Sequence, residues 1–193
     1  MNQAPKLQLN ESLIRPISCS ALFSPEECDK IRHLPYSQVY AGRIENDSED
    51  QAVVAPDVRN TTCHIVEALP ENRWISARVF DLMKEVNQEY YHFRLNFLSQ
   101  LQVLEYQVEG RYTQHLDIGP GMSSSRKLSI VVYLSSPAEY TGGRLLIEPH
   151  YHDLPQELGT AVVFPSYLLH QVEPVSSGER WTMVAWAHGP AFC

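Results

Sequence analysis

The stretch "YTQHLDIGPG" (Tyr112–Gly121) sets a histidine and an aspartate two residues apart and then breaks into glycine and proline. Side chains two apart on a β-strand share a face. His115 and Asp117 can therefore address one ion together while Leu116 turns away. An HxD pair alone is weak evidence, because such pairs recur by chance. The reading depends on whether a third ligand follows on another strand.

His170 opens the run "HQVEPV", 53 residues after Asp117 (170 minus 117). Two histidines and one carboxylate make the facial ligand set of non-haem Fe(II) oxygenases, which keeps coordination positions open for cosubstrate and O₂. Arg180 follows His170 by ten residues (180 minus 170), inside "SSGERWTMVAW". A guanidinium there can clamp a carboxylate through two parallel hydrogen bonds. A rival group, His150, His152 and Asp153 in "EPHYHDLP", lies between two prolines and reads as a connecting loop. His33, His64 and His92 have no partner pattern, and His188 reads as structural.

Around this core the chain alternates short β-rich runs with turns. "FRLNFL", "LQVLEYQV", "KLSIVVYLS", "GRLLIEP", "GTAVVFPS", "HQVEPV" and "RWTMVAWA" are separated by "VEGR", "DIGPGMSSS", "EYTGG" and "SSGER". Many strands with no helices between them predict an antiparallel sandwich or barrel. Helices belong to the first third. Ser24, Pro25 and Glu27 in "FSPEECDKIRHL" form a helix start with a capping box. A second helix is expected from about Glu71 to Tyr90, with Trp74, Val79, Leu82, Met83, Val86 and Tyr90 on its core stripe. The acidic segment 41–57 reads as a loop, either an active-site lid or a solvated linker, and "GPGMSSSR" as flexible chain beside the site.

The 193 residues fit one domain, read as 1–193, with a helical and lid-forming part at 1–92 and a β core at 93–190 carrying the site. A formal net charge of -8 argues against broad nucleic-acid binding, which needs clustered basic residues. No apolar run approaches the roughly 20 residues of a membrane span. The four cysteines, Cys19, Cys28, Cys63 and Cys193, lack CxxC spacing. With no secretory pattern at the N-terminus, the expectation is a cytoplasmic protein with free thiols. Nothing in the pattern sets an oligomeric state.

The segment from about Leu101 to His188 resembles the Fe(II)- and 2-oxoglutarate-dependent dioxygenases, in the prolyl 4-hydroxylase-like (PKHD-type) branch. The matching text is "LQVLEYQVEGRYTQHLD", "RKLSIVVYLSSPAEYTGGRLLIEP" and "GTAVVFPSYLLHQVEPVSSGERWTMVAW". The resemblance implies a mainly β fold, a double-stranded β-helix (jelly roll) with N-terminal helices packed on one sheet. It implies that His115, Asp117 and His170 hold Fe(II) and are the catalytic centre, and that Arg180 binds the far carboxylate of 2-oxoglutarate. Tyr106 falls where such enzymes place a cosubstrate-touching tyrosine, with a core aromatic as the alternative. Leu145 and Trp186 fall on the cosubstrate pocket wall. Arg59 and Tyr112 are candidate substrate contacts, each with a structural reading beside it. Retention of Asp117 favours hydroxylation over halogenation.

The implied activity is hydroxylation of a C–H bond with 2-oxoglutarate and O₂ as cosubstrates, succinate and CO₂ as coproducts, and ascorbate as a candidate reductant. The acidic loops suit a basic or zwitterionic small molecule or amino-acid unit, with a peptide substrate as an alternative. The other readings are a metal- or ligand-binding β-helix without turnover, and a zinc hydrolase, for which no HExxH-type base is present.

Overall fold

Strand parity organises this molecule. Along "RWTMVAWAH" (Arg180–His188), Trp181, Met183, Ala185 and Ala187 pack on one side, whereas Val184 packs on the other. Arg180, Thr182 and Trp186 share the parity of Val184 and line a cavity there. A strand apolar on both faces must lie between two layers.

The computed structural model describes residues 10–46, 49–149 and 151–192. The first third contains β1 (Ile17–Cys19), α1 (Pro25–Arg32), β2 (Val39–Ala41), β3 (Ile44–Asn46), β4 (Glu49–Val53), β5 (Arg59–Asn60), β6 (Thr62–Ile65) and α2 (Arg73–Val86). Then follow β7 (Phe97–Leu98), β8 (Gln102–Tyr106), β9 (Arg111–His115), β10 (Arg126–Tyr133), β11 (Tyr140–Gly142) and β12 (Leu145–Ile147). The last four strands are β13 (Ala161–Pro165), β14 (His170–Val172), β15 (Val175–Gly178) and β16 (Arg180–His188).

The major sheet runs β1-β13-β10-β16-β8-β6-β2, with β7 also paired to β16. The minor sheet runs β12-β14-β9-β5, and β11 pairs with β15. Every recorded pairing is antiparallel. One face of the major sheet, through Val103, Leu128, Ile130, Val132, Val163 and Met183, packs on α1 and α2. The other, through Leu104, Val131, Tyr133, Val162 and Phe164, packs on Leu145, Ile147 and Val172 of the minor sheet. This is a jelly roll with its helices on one sheet, as the family resemblance implied and within the antiparallel sandwich or barrel the strand pattern predicted.

The helix start is as expected. Ser24 Oγ accepts from the Glu27 amide and the Glu27 carboxylate accepts from the Ser24 amide, closing the capping box. The second helix differs in detail. It begins at Arg73, and a π-turn over Asn87–Tyr91 widens its end. Ile75, Val79, Met83 and Val86 are its buried stripe, with Trp74, Leu82 and Tyr90 packed partly against the same core. Because of the wider turn, Tyr91 rather than Tyr90 enters the core, where its hydroxyl donates to the Arg15 carbonyl.

Two loop expectations need correction. Within 41–57, β3 and β4 pair as a hairpin, and residues 47 and 48 lie outside the described set. Polar strands without alternation carry no period-2 signal, so the pairing was not readable. The run after Asp117 forms a 3₁₀ turn at Gly121–Ser125. The Ser124 and Ser125 hydroxyls donate to the Gly121 and Met122 carbonyls three residues back and hold it. The first third is also more than helices, since β1, β2 and β6 extend the major sheet and β5 the minor one.

Candidate active site

His115 ends β9 and His170 begins β14, and the two residues are direct cross-strand partners. Their ring centroids lie 4.1 Å apart. Asp117 follows β9, and its amide donates to the Ser166 carbonyl at 3.0 Å, so its carboxylate still points to the histidine side. Asp117 Oδ1 is 3.8 Å from His115 Nε2, and Oδ2 is 3.5 Å from His170 Nε2. Leu116 turns out to solvent, as the two-residue alternation requires. Among the described residues, these three form the one cluster whose ligand atoms converge, all within 4.8 Å.

Backbone contacts fix the protonation pattern. The Thr113 carbonyl accepts from His115 Nδ1 at 2.8 Å, and the Leu168 carbonyl from His170 Nδ1 at 2.9 Å. A carbonyl can only accept, so Nδ1 carries the proton in both rings and Nε2 keeps its lone pair toward the shared space. Burial first, and then His170, push the His115 imidazole down to about 3. Burial would raise the Asp117 carboxyl, but His170 and His115 outweigh it and hold it below its ordinary value. Ser129 Oγ donates to Asp117 Oδ2 at 2.6 Å, and Ser129 and Ser166 hydroxyls meet at 3.0 Å. Two imidazoles that turn Nε2 to the same space and one oriented carboxylate fit a divalent iron.

Arg180 stands on the opposite wall. It is fully buried at the start of β16, facing Tyr106 across the β8 pairing. Its guanidinium lies 5.0 Å from the Tyr106 ring and 5.3 Å from the Tyr133 ring. None of its three nitrogens meets a partner in good hydrogen-bonding geometry among the described residues; the Tyr133 and Tyr140 hydroxyls lean toward it, but no carboxylate does. A buried cation without an anion is costly unless something else supplies one. Gly143, with φ +60°, makes room for it, because a Cβ there would come within 2.8 Å of Arg180 Cδ. A dicarboxylate with one end on this cation fits the vacancy in its hydrogen bonding.

All nine residues selected from the sequence line one cavity of about 590 Å³: Arg59, Tyr106, Tyr112, His115, Asp117, Leu145, His170, Arg180 and Trp186. Tyr112 stacks on His115 with ring centroids 3.4 Å apart, and the Arg59 guanidinium sits 4.8 Å from the centre of the same Tyr112 ring. Trp186 is more than a wall, since its side chain helps to hold the Asp117 carboxyl below its ordinary value. The rival group does not converge: His152 pairs with Glu148 at 3.5 Å, and His150 lies outside the described residues. His188 meets Ser125 Oγ at 2.8 Å and stacks on Phe97, and His64 meets Glu105 at 3.2 Å. The sequence reading missed Ser129 and Arg126, both on β10. Arg126 donates to the Asp117 carbonyl at 2.8 Å and lies 4.1 Å over Trp186.

Comparison with known proteins agrees with this geometry. Residues 101–188 match the family described as the 2OG-Fe(II) oxygenase superfamily. A PKHD-type hydroxylase of Crocosphaera subtropica is 31% identical over 139 residues, which is 69% of this chain and 56% of that protein. Another, from Psychrobacter sp., is 37% identical over 89 residues, 42% of this chain and 34% of that protein. The chain thus spans about half the length of the first relative and a third of the second. Among solved structures, a Pseudomonas putida prolyl-4-hydroxylase superposes with a TM-score of 0.70 at 18% identity, covering 91% of this chain and 93% of its own. A viral collagen prolyl hydroxylase from Paramecium Bursaria Chlorella virus-1, solved as a 2OG complex, gives 0.67 at 19% identity, with 91% and 96% covered. At these identities the likeness speaks to the fold.

Proposed function

Because this chain belongs to the 2OG-Fe(II) oxygenases of PKHD type, we propose that it is a hydroxylase in which His115, Asp117 and His170 hold Fe(II) and Arg180 anchors 2-oxoglutarate. The family implies Fe(II), 2-oxoglutarate and O₂ as its cofactor set. One observation carries the assignment to these residues. A cation-ready triad and a buried guanidinium with no carboxylate partner among the described residues face the same cavity from opposite walls.

Bound iron and 2-oxoglutarate would supply the oxidising chemistry, with succinate and CO₂ as coproducts. The chain's own residues do the rest. His115 and His170 turn Nε2 to the cavity because their Nδ1 protons are held by carbonyls. The Ser129 hydroxyl aims the Asp117 carboxylate. Arg180 fixes the far end of the cosubstrate, with the Tyr106 and Thr182 hydroxyl groups on the same wall. Leu145 and Val172 close the pocket with apolar surface and exclude water, which strengthens the charge contacts inside. Arg59 and Tyr112 border the part of the cavity left for substrate. That space suits a small molecule or an amino-acid unit, free or within a peptide. The test is anaerobic titration of metal-free protein with Fe(II) and 2-oxoglutarate, following the visible charge-transfer band of the chelate. A band that weakens in Arg180→Met at modest cosubstrate is expected; folded protein with no band would refute the reading.

A further inference from the structure

The chain is acidic, with 23 Asp and Glu against 15 Lys and Arg. Its cavity is the reverse. Among the described lining residues the acidic side chain is Asp117, and it faces four arginines: Arg43, Arg59, Arg126 and Arg180. Arginines on the outer surface find carboxylates readily, as Arg32 does with Glu139, Arg78 with Glu27 and Arg144 with Glu173, all within 2.7 Å. Arg59 and Arg126 do not. Arg59 donates to the Arg43 carbonyl at 2.9 Å and to Cys63 Sγ at 3.4 Å. Arg126 donates to the Asp117 carbonyl. The Nε of each is buried without a partner.

Both guanidiniums are laid against aromatic rings, Arg59 on Tyr112 and Arg126 on Trp186, so their planes are fixed before any ligand arrives. Those two rings touch the triad itself, Tyr112 through His115 and Trp186 through Asp117. Gly42 contributes to the arrangement, because a Cβ there would reach Arg59 Nε at 2.9 Å. The charges then decide the matter. If the proposed function holds, a divalent metal, Asp117, a dianionic cosubstrate and Arg180 cancel one another. The charges on Arg59, Arg126 and Arg43 remain; Arg43 is exposed to solvent, which leaves Arg59 and Arg126 for a third party.

We propose that Arg59 and Arg126 form a second anion site beside the metal triad, and that the hydroxylated substrate carries an oxyanion, a carboxylate or a phosphate. This rests on the dioxygenase reading and narrows the expectation of a basic or zwitterionic substrate, which followed from the acidic loop sequence, to one that carries an oxyanion. Both oxyanions match the guanidinium fork.

The experiment begins with protein loaded with Fe(II) and 2-oxoglutarate without O₂, so that the chelate band monitors the earlier reading throughout. Matched probes are then titrated calorimetrically: a set of N-acetyl amino acids with free carboxylates, their neutral amides, and the O-phosphate of N-acetylserinamide. Anionic members should bind about tenfold more tightly than the amides, the size expected of one charge-assisted contact. The chelate band should persist, showing that the probe has not displaced cosubstrate at Arg180. Arg59→Gln or Arg126→Gln should remove most of that preference, whereas Arg59→Lys and Arg126→Lys should keep part of it. The carboxylate and phosphate arms identify which oxyanion is preferred. If acids and amides bind alike, if the amides bind better, or if no probe binds while the band is intact, this inference is overturned and the dioxygenase reading stands. If no band forms, the earlier reading fails and this one falls with it.

Discussion

On the minor-sheet wall of the cavity each histidine is held by a backbone carbonyl; on the major-sheet wall the largest polar group lies among aromatic rings and has no carboxylate partner among the described residues. His115 and His170 each spend one ring nitrogen on a carbonyl and are left with one defined lone pair. Arg180, on the central strand of the other sheet, is fully buried and has no carboxylate partner among the described residues. A group already oriented can receive a cation without rearrangement, so that wall is preorganised. A buried charge left unpaired makes the empty protein less stable and the filled one more so. One wall is prepared for its ligand through geometry, the other through an unmet electrostatic demand.

The comparison can be broken most directly on the first wall. His170→Ala or Asp117→Ala should abolish stoichiometric metal binding and reduce succinate formation to background, measured by metal analysis and a coupled turnover assay. Metal retained at full stoichiometry by Asp117→Ala would show that the triad is misassigned. On the second wall, Arg180→Met should raise the dissociation constant for 2-oxoglutarate by about 100-fold, since losing one partner of a buried charged contact costs about 2–5 kcal/mol. The same variant should raise the thermal midpoint of ligand-free protein by a few degrees, because it removes an uncompensated buried charge. A fall in both would mean that Arg180 is satisfied in a way its geometry does not reveal.

Acid sharpens the contrast. The folded value for His115, about 3, lies below its ordinary 6.5, so the unfolded chain takes up the proton first as pH falls. Ligand-free stability should therefore decline from about pH 6.5 toward pH 3, and Asp117, held below 3.8, adds a further loss at the acid end. Denaturant titrations across that range test this, and His115→Gln should flatten the slope. The smallest effect is expected at Ser129. Replacing it with alanine removes a hydrogen bond that aims Asp117 and should weaken metal affinity by about 10-fold, with cosubstrate affinity on the opposite wall nearly unchanged.

Both walls were partly legible in the sequence, for unequal reasons. His115, Asp117, His170 and Arg180 were selected from the HxD pair, the distal histidine and the arginine ten residues on, taken together with the family resemblance. Ser129 and Arg126 sit in "RKLSIVVYLS", where nothing marks one hydroxyl or one cation as special; only the β10–β16 register, which sets Ser129 beside Trp186, reveals them. The short strands of the first third were not legible. Segments such as Arg59–Asn60 are strands by virtue of their partners, here Tyr112 and Arg111 of β9, rather than of their own residues. The π-turn after Val86 likewise depends on Asn87 bridging both backbone groups of Phe93.

The pairing of His115 with His170 has one more consequence. Residues directly opposite in an antiparallel pair are separated by sheet spacing, and the chain between them has no part in setting that distance. The connection that carries β10 to β13 from one histidine to the other could be lengthened at its exposed turns, near Ala138 or Glu157, without moving either ring. Each doubling of such a loop costs only about 0.6 kcal/mol of closure entropy. The metal centre is thereby insulated from changes in loop length, and new surface could be grafted onto those turns while the chemistry beneath them stays the same.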